Sequence, residues 1–431
     1  VSLAGHFRDR QATHVHDPLQ VRCLVLDDST TQLVLVMVDS CMVPRDLFDA
    51  AKKVIHHTLG IPLSNMLMAA THTHTAPSSV SIFQSDPVPG YAELVKAALV
   101  EGVCEAYKCR VPAQIAWGSG VVSDEVFNRR WFMKPGTLPA DPFGKTTDRV
   151  RMNPPRASED LIESAGSIDP EIPFIAVRHK NGKPLAILAN YALHYVGGTD
   201  AGAMSADYFG CFAASLTQLL RAAPDETPFL AMLSNGASAN INNIDFSKPG
   251  SAADPYEQMN AVADKAAQEV YRVYQTLTFS DWLPLAAATR DLMLGTRRPQ
   301  KTELLRAQSI VDAASSEIMK STEEVFARET LLLKHYPEQV SVPLQVLRIG
   351  DIAIAAIPCE IFVETGLYLK KESPFPHAFP IALANGYNGY LPTAEQHALG
   401  GYETWRARSS YLEIHAAKKI QDNIIDMLQV L

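Results

Sequence analysis

The sequence predicts an α/β fold, with α+β as the alternative: mixed, largely buried β-sheet layers flanked by helices. Three observations predict it. Short apolar runs alternate with longer helical patterns along the chain. The runs are continuously apolar, as in strands covered on both faces. Five of them end directly in polar, chemically capable residues, and in open α/β sheets sites form beyond the carboxyl ends of the strands.

Taken in order, the strand-like runs are residues 24–26, 33–38, 66–70, 174–177, 185–188, 229–233, 352–357 and 381–384. Each is short and rich in Val, Ile, Leu, Met or Ala, bounded by turn-forming residues. The helical patterns between them are 45–58, 91–107, 206–221, 255–275, 302–333 and 407–430, with apolar residues three and four apart. The pattern 302–333 is long enough to contain a break. Residues 132–165 are rich in Pro, Gly and charge and show no periodicity, so they read as an irregular loop or a lid. No internal repeat interrupts the chain, and 1–431 reads as a single domain.

The bulk numbers exclude several classes. The chain has 431 residues, 47% of them apolar and 20% charged, the balance of a globular enzyme. Its net charge of −9 and lack of a basic patch argue against a nucleic-acid partner. No apolar run is long enough to span a bilayer. The 6 cysteines form no CxxC pair and sit mostly in apolar contexts, the usage of buried free thiols. That favours a reducing compartment, whereas a start at Val1 is compatible with a signal peptide already removed. Compartment and oligomeric state are open at this level.

The five strand ends carry the functional signal. "MLMAA" runs into His72 and His74, "PLAILANYAL" into His194, "FLAML" into "SNGASAN", "IAIAAIPC" into Glu360, and "IALAN" into "GYNGY". In a strand, residues two apart share a face and lie about 7 Å apart. His72 and His74 therefore look into one cavity if the strand continues; otherwise they cap it through backbone bonds. His194 alone would be an ordinary core histidine. Glu360 is sharper, because a buried carboxylate requires a cation, an arginine or a metal. Together His72, His194 and Glu360 make a His₂Glu set, a catalytic zinc combination that leaves one position for water. This places a metal site at the strand carboxyl ends. In "SNGASAN", Ser238 and nearby backbone N–H groups are candidates to meet a substrate oxyanion, or the segment is a simple turn. Tyr387, Tyr390 and Tyr402 sit among glycines and line either a site or the core.

With these residues assembled, the chain resembles the catalytic domain of the neutral/alkaline ceramidase family. "ATHTHTAP" is similar to that family's histidine motif, usually SHTHSGP, and "FNRRW" to its Asn-Arg segment. "ILANYALH" is similar to the strand ending in its second metal histidine, and "SNGASAN" to its serine motif, usually GDVSPN at the centre. "IPCEIFVETG" and "NGYNGYLPTAEQHALGGYE" are similar to its Pro-Gly-Glu and tyrosine-rich segments. Six such segments occur in the same order along most of the chain.

The resemblance implies zinc-dependent amide hydrolysis with one Zn²⁺ per chain. It assigns His72 and His194 as zinc histidines, Glu360 as the zinc glutamate and Tyr390 as the tyrosine next to the metal. It sets His74 beside the metal against the reacting group, Ser238 as the active-site serine, and Arg129 and Tyr402 near the substrate, with Arg130 the competing assignment for Arg129. Two departures qualify it. The serine motif lacks its Asp and Pro, which argues against Ser238 as nucleophile. The chain ends in a helical pattern just after the tyrosine stretch, so the family's C-terminal β-rich domain is expected to be absent. No apolar surface segment for extracting a lipid from a membrane is evident, so a smaller amide or ester is expected in place of ceramide. An esterase or lactonase with the same zinc chemistry, and a non-catalytic ligand-binding member of the family, are the alternatives.

Overall fold

The structure is a computed structural model; it describes residues 1–221, 228–250 and 252–431. Three mixed sheets carry the fold. In the first, β1 (Val21–Asp27) is antiparallel to β2 (Gln32–Val38), which runs parallel to β3 (Met66–Ala70). The second has the order β4–β5–β6–β7: Ala113–Val121, Glu171–His179, Pro184–Tyr191 and Leu230–Asn235, with the last pair parallel. The third has the order β8–β9–β10–β11: Leu285–Gly295, Gln339–Ile349, Ile352–Ala356 and His377–Ile381, again with the last pair parallel. Among the described residues no helix is long and apolar enough to cross a membrane.

The buried runs behave as their composition dictates. In β2, Leu33, Leu35 and Met37 join one core cluster, while Val34, Val36 and Val38 join another. This two-residue alternation, with both faces apolar, is what a strand covered on both sides requires. The cluster with Leu33 also holds Ile175 and Leu188 of the second sheet and Ile354 and Phe379 of the third. The inner faces of all three sheets therefore meet.

Helices cover the outer faces. α1 (Arg45–Leu59) and α2 (Tyr91–Lys108) pack through Phe48, Ile55 and Leu99 onto the outer faces of the first and third sheets. α3 (Asp207–Leu219) and α4 (Glu257–Tyr274) cover the second through Phe212 and Val262. The long pattern 302–333 is two helices, α5 (Lys301–Ala313) and α6 (Thr322–Leu333). α6 restarts at a capping box in which Ser321 and Glu324 satisfy each other's backbone donors. α7 (Val363–Glu372), α8 (Ala394–Leu399) and α9 (Ala416–Gln429) complete the set.

Several sequence expectations shift. The run 381–384 is not a strand, because β11 ends at Ile381. Residues 382–384 instead turn to bond three separate segments: Ala382 N to Asn235 O, Leu383 N to Cys359 O and Ala384 N to Ile357 O. Leu383 and Asn385 take positive φ to do so. The terminal helix begins at Ala416, since Arg297 clamps the stretch before it by donating to the carbonyls of Thr404, Ser410 and Leu412. Residues 132–165 are not wholly irregular. The short strands Val150–Met152 and Leu161–Ser164 both pair with Arg130–Met133. Three long strands were not foreseen: β4, β8, which is mostly part-exposed, and β9, which carries Pro343. A proline inside a strand usually argues against a central position.

Candidate metal centre and active site

The strand ends gather at one edge. β3 stops at Ala70 and His72 follows with φ of 78°, so the expected strand geometry does not continue through the two histidines. The left-handed turn achieves the same convergence by another route: His72 Nε2 and His74 Nε2 lie 3.1 Å apart. His194 follows β6, and its Nε2 is also 3.1 Å from that of His72. Glu360 opens a two-residue strand paired in parallel with Tyr390–Leu391, and its Oε2 lies 3.4 Å from His72 Nε2.

Backbone carbonyls fix both rings. His72 Nδ1 lies 2.7 Å from Cys41 O, and His194 Nδ1 lies 3.2 Å from Ser238 O. A carbonyl can only accept, so each Nδ1 carries a proton, as in metal-binding histidines held by an outer partner. Each neutral ring then turns its Nε2 lone pair toward the other and toward the carboxylate. Glu360 Oε1 accepts from Tyr387 OH at 3.0 Å, but Oε2 is buried with no hydrogen-bond partner.

Three electron-rich atoms so arranged require positive charge between them. Burial alone lowers the basicity of His72, yet Cys41 and Glu360 beside it raise it, to about 10. A second proton on His72 is one source of that charge, and a metal cation is the other. His194 is held well below the ordinary histidine range by burial and by Arg129, and His74 by burial and by His72. Neutral imidazoles are the ligand-competent form.

His72, His194 and Glu360 are close enough to hold one metal ion, and so are Cys41, His72 and His74. The first group is the better one. In the second, the His72 nitrogen nearest the Cys41 thiol, at 3.8 Å, is already engaged by the Cys41 carbonyl, and burial raises the thiol pKa against ionisation.

The remaining predicted residues surround this group. Arg129 donates to Tyr390 OH at 3.2 Å and to Glu403 Oε1 at 3.0 Å. Arg130 points away, to Glu403 Oε2, Gln396 and the Gly400 carbonyl. Of the two arginines, Arg129 is therefore the one at the site. Tyr402 stands edge-on to Tyr390 with centroids 5.6 Å apart. The Ser238 carbonyl holds His194, while its hydroxyl donates to Asn235 Oδ1 at 2.5 Å.

Several residues at the site were missed or left without a role. Cys41 follows the end of β2, so the strand-end rule could have found it. Tyr195, stacked on His74 at 3.7 Å, adjoins His194, and Glu403 adjoins Tyr402. Asn235 ends β7. A cavity of 1310 Å³ opens elsewhere, along β1 and the start of β4, and none of these site residues lines it.

This arrangement can be set beside known proteins. No family model matches the chain. The crystal structure of neutral ceramidase from Pseudomonas aeruginosa superposes with a TM-score of 0.73 at 18% identity, covering 99% of this chain and 71% of that one. The chain has the neutral ceramidase fold. A ceramidase complexed with C2 superposes with a TM-score of 0.75 at 16% identity, covering 99% and 72%. In sequence, neutral ceramidase B of Dictyostelium discoideum is 22% identical over 205 residues. That match spans 45% of this chain and about a quarter of the relative, 26% of its length. The family resemblance read from the six segments thus has support in both sequence and fold.

Proposed function

We propose that the chain is a zinc-dependent hydrolase that cleaves an N-acyl amide bond with water. The observation that carries this reading is Glu360 Oε2, buried without a hydrogen-bond partner and 3.4 Å from the Nε2 of His72, one of two histidines that backbone carbonyls orient toward it. A two-histidine, one-carboxylate donor set suits Zn²⁺ with an open position. Bound there, zinc would polarise a carbonyl oxygen and lower the pKa of a water toward about 7.

His72, His194 and Glu360 would hold the ion, and Tyr387 fixes the Glu360 carboxylate through Oε1. Tyr390, paired with Glu360, would stand next to the metal, and its hydroxyl accepts from Arg129, whose charge adds to the positive potential of the pocket. His74 Nε2 faces the reacting group and, with the Tyr402 hydroxyl, stabilises the carbonyl oxygen as it gains negative charge. As water adds and the C–N bond breaks, the proton that water loses passes to the leaving amine through His74 or Glu360. Ser238 positions rather than attacks. Its hydroxyl is committed to Asn235, which is no base, and its carbonyl orients His194.

Zinc content per chain, measured for the wild type and for His194→Ala, tests the reading. About one zinc in the wild type and little in the variant is the expected result, followed by turnover on a panel of N-acyl and O-acyl compounds. No zinc after reconstitution would overturn the mechanism, and turnover confined to O-acyl substrates would replace amidase by esterase.

A further inference from the structure

Three consecutive residues near the start of the chain span from His74 to Tyr402. A Cβ on Gly5 would lie 2.4 Å from His74 Nδ1, so only a glycine lets the backbone approach that ring so closely. The His6 ring stands edge-on to His74, with centroids 5.6 Å apart. Phe7 stands edge-on to Tyr402 at 5.4 Å. Behind Phe7 lie Phe83 at 4.9 Å and Phe326 of α6 at 6.0 Å.

The segment is tied down on both sides. Ala4 N donates to Ala76 O, in the loop that follows the histidines. Gln84 Nε2 donates to the carbonyls of Phe7 and Met319, and Met319 N donates back to Gln84 Oε1 at 2.7 Å. A ring wedged among three others on a clipped backbone does not swing aside without cost.

We propose that Phe7 is a specificity-determining residue that limits the apolar part of the substrate to a short or compact acyl group. The inference rests on the proposed function, which puts His74 and Tyr402 on the reacting carbonyl. An acyl chain that leaves that carbon on the Tyr402 side would meet the Phe7 ring, which Phe83 and Phe326 back.

The test compares wild type, Phe7→Ala and Phe7→Trp, each checked for folding by its thermal melt. Binding of acetate, butyrate, octanoate and dodecanoate is measured by calorimetry, and kcat/KM on the matching N-acyl amides. In the wild type both should fall from the butyryl to the dodecanoyl member. Phe7→Ala should raise the dodecanoyl-to-butyryl ratio by about tenfold or more, since each newly accommodated methylene is worth severalfold, and Phe7→Trp should lower it. An unchanged length profile in Phe7→Ala, a wild-type preference for the long chain, or no carboxylate binding at any length overturns the proposal. Carboxylate binding with the predicted length limit but no amide turnover would instead remove the hydrolase reading and leave the Phe7 limit standing.

Discussion

Two buried glutamates, Glu403 and Glu360, are linked through Arg129 and Tyr390 and have opposite surroundings. Both Glu403 oxygens are engaged, Oε1 by Arg129 and Oε2 by Arg130, and Arg130 is anchored in turn by Gln396 and the Gly400 carbonyl. Glu360 has one oxygen on Tyr387, while the other is buried, unpartnered, and 3.4 Å from a histidine nitrogen. A fully paired buried carboxylate holds two loops in place. One left half-paired among oriented imidazoles is a place for a cation. The contrast shows that the completeness of pairing separates framework from candidate site more sharply than burial does.

Removing each charge should break the comparison in different ways. Glu360→Gln is expected to lower hydrolysis by at least about a thousandfold, roughly 4 kcal/mol of barrier. It should also abolish the rise in melting temperature on zinc addition. A zinc-induced rise that persists in the variant would mean that Glu360 is a structural carboxylate like Glu403.

Glu403→Gln is expected to do the reverse. It leaves two buried arginines without their anion and should cost about 3–5 kcal/mol in denaturant unfolding, while the folded fraction still takes up zinc. Unaltered stability would show that the Arg129–Glu403–Arg130 group is not framework.

Smaller changes sharpen the picture around the two carboxylates. Tyr387→Phe removes the hydrogen bond that orients Glu360 and should weaken zinc affinity by about 10–100-fold, read by competition with a chelator. Ser238→Ala keeps the carbonyl that holds His194 and loses only the bond to Asn235, a change of about 1 kcal/mol. Turnover within about tenfold of wild type is expected. Loss of activity with zinc fully retained would restore Ser238 as the nucleophile.

Much of this was legible in the sequence because burial writes itself into composition. β2, β3 and β10 are continuous apolar runs, and strands covered on both faces can be little else. α1 and α2 announce themselves by apolar periodicity, and the polar residue after each buried run marks where the chain leaves the core. That logic singled out His72, His194 and Glu360. β8 was not legible because its side chains are mostly part-exposed and its partner β9 contains Pro343. Both belong to the sheet through backbone pairing, which side-chain pattern does not encode.

By itself, then, the sequence determined the layers of the fold and the chemical types at the strand ends. The tertiary structure decided which of those residues meet and what they mean. It chose Arg129 over Arg130, turned His72 by a left-handed backbone so that His74 still converges on it, and committed the Ser238 hydroxyl to Asn235. It also laid Gly5, His6 and Phe7 across the site from the far end of the chain. The physical reason is that burial and periodicity are local properties, carried by neighbouring residues. The meeting of groups more than a hundred positions apart, such as the Nε2 atoms of His72 and His194, exists only once the sheets have packed.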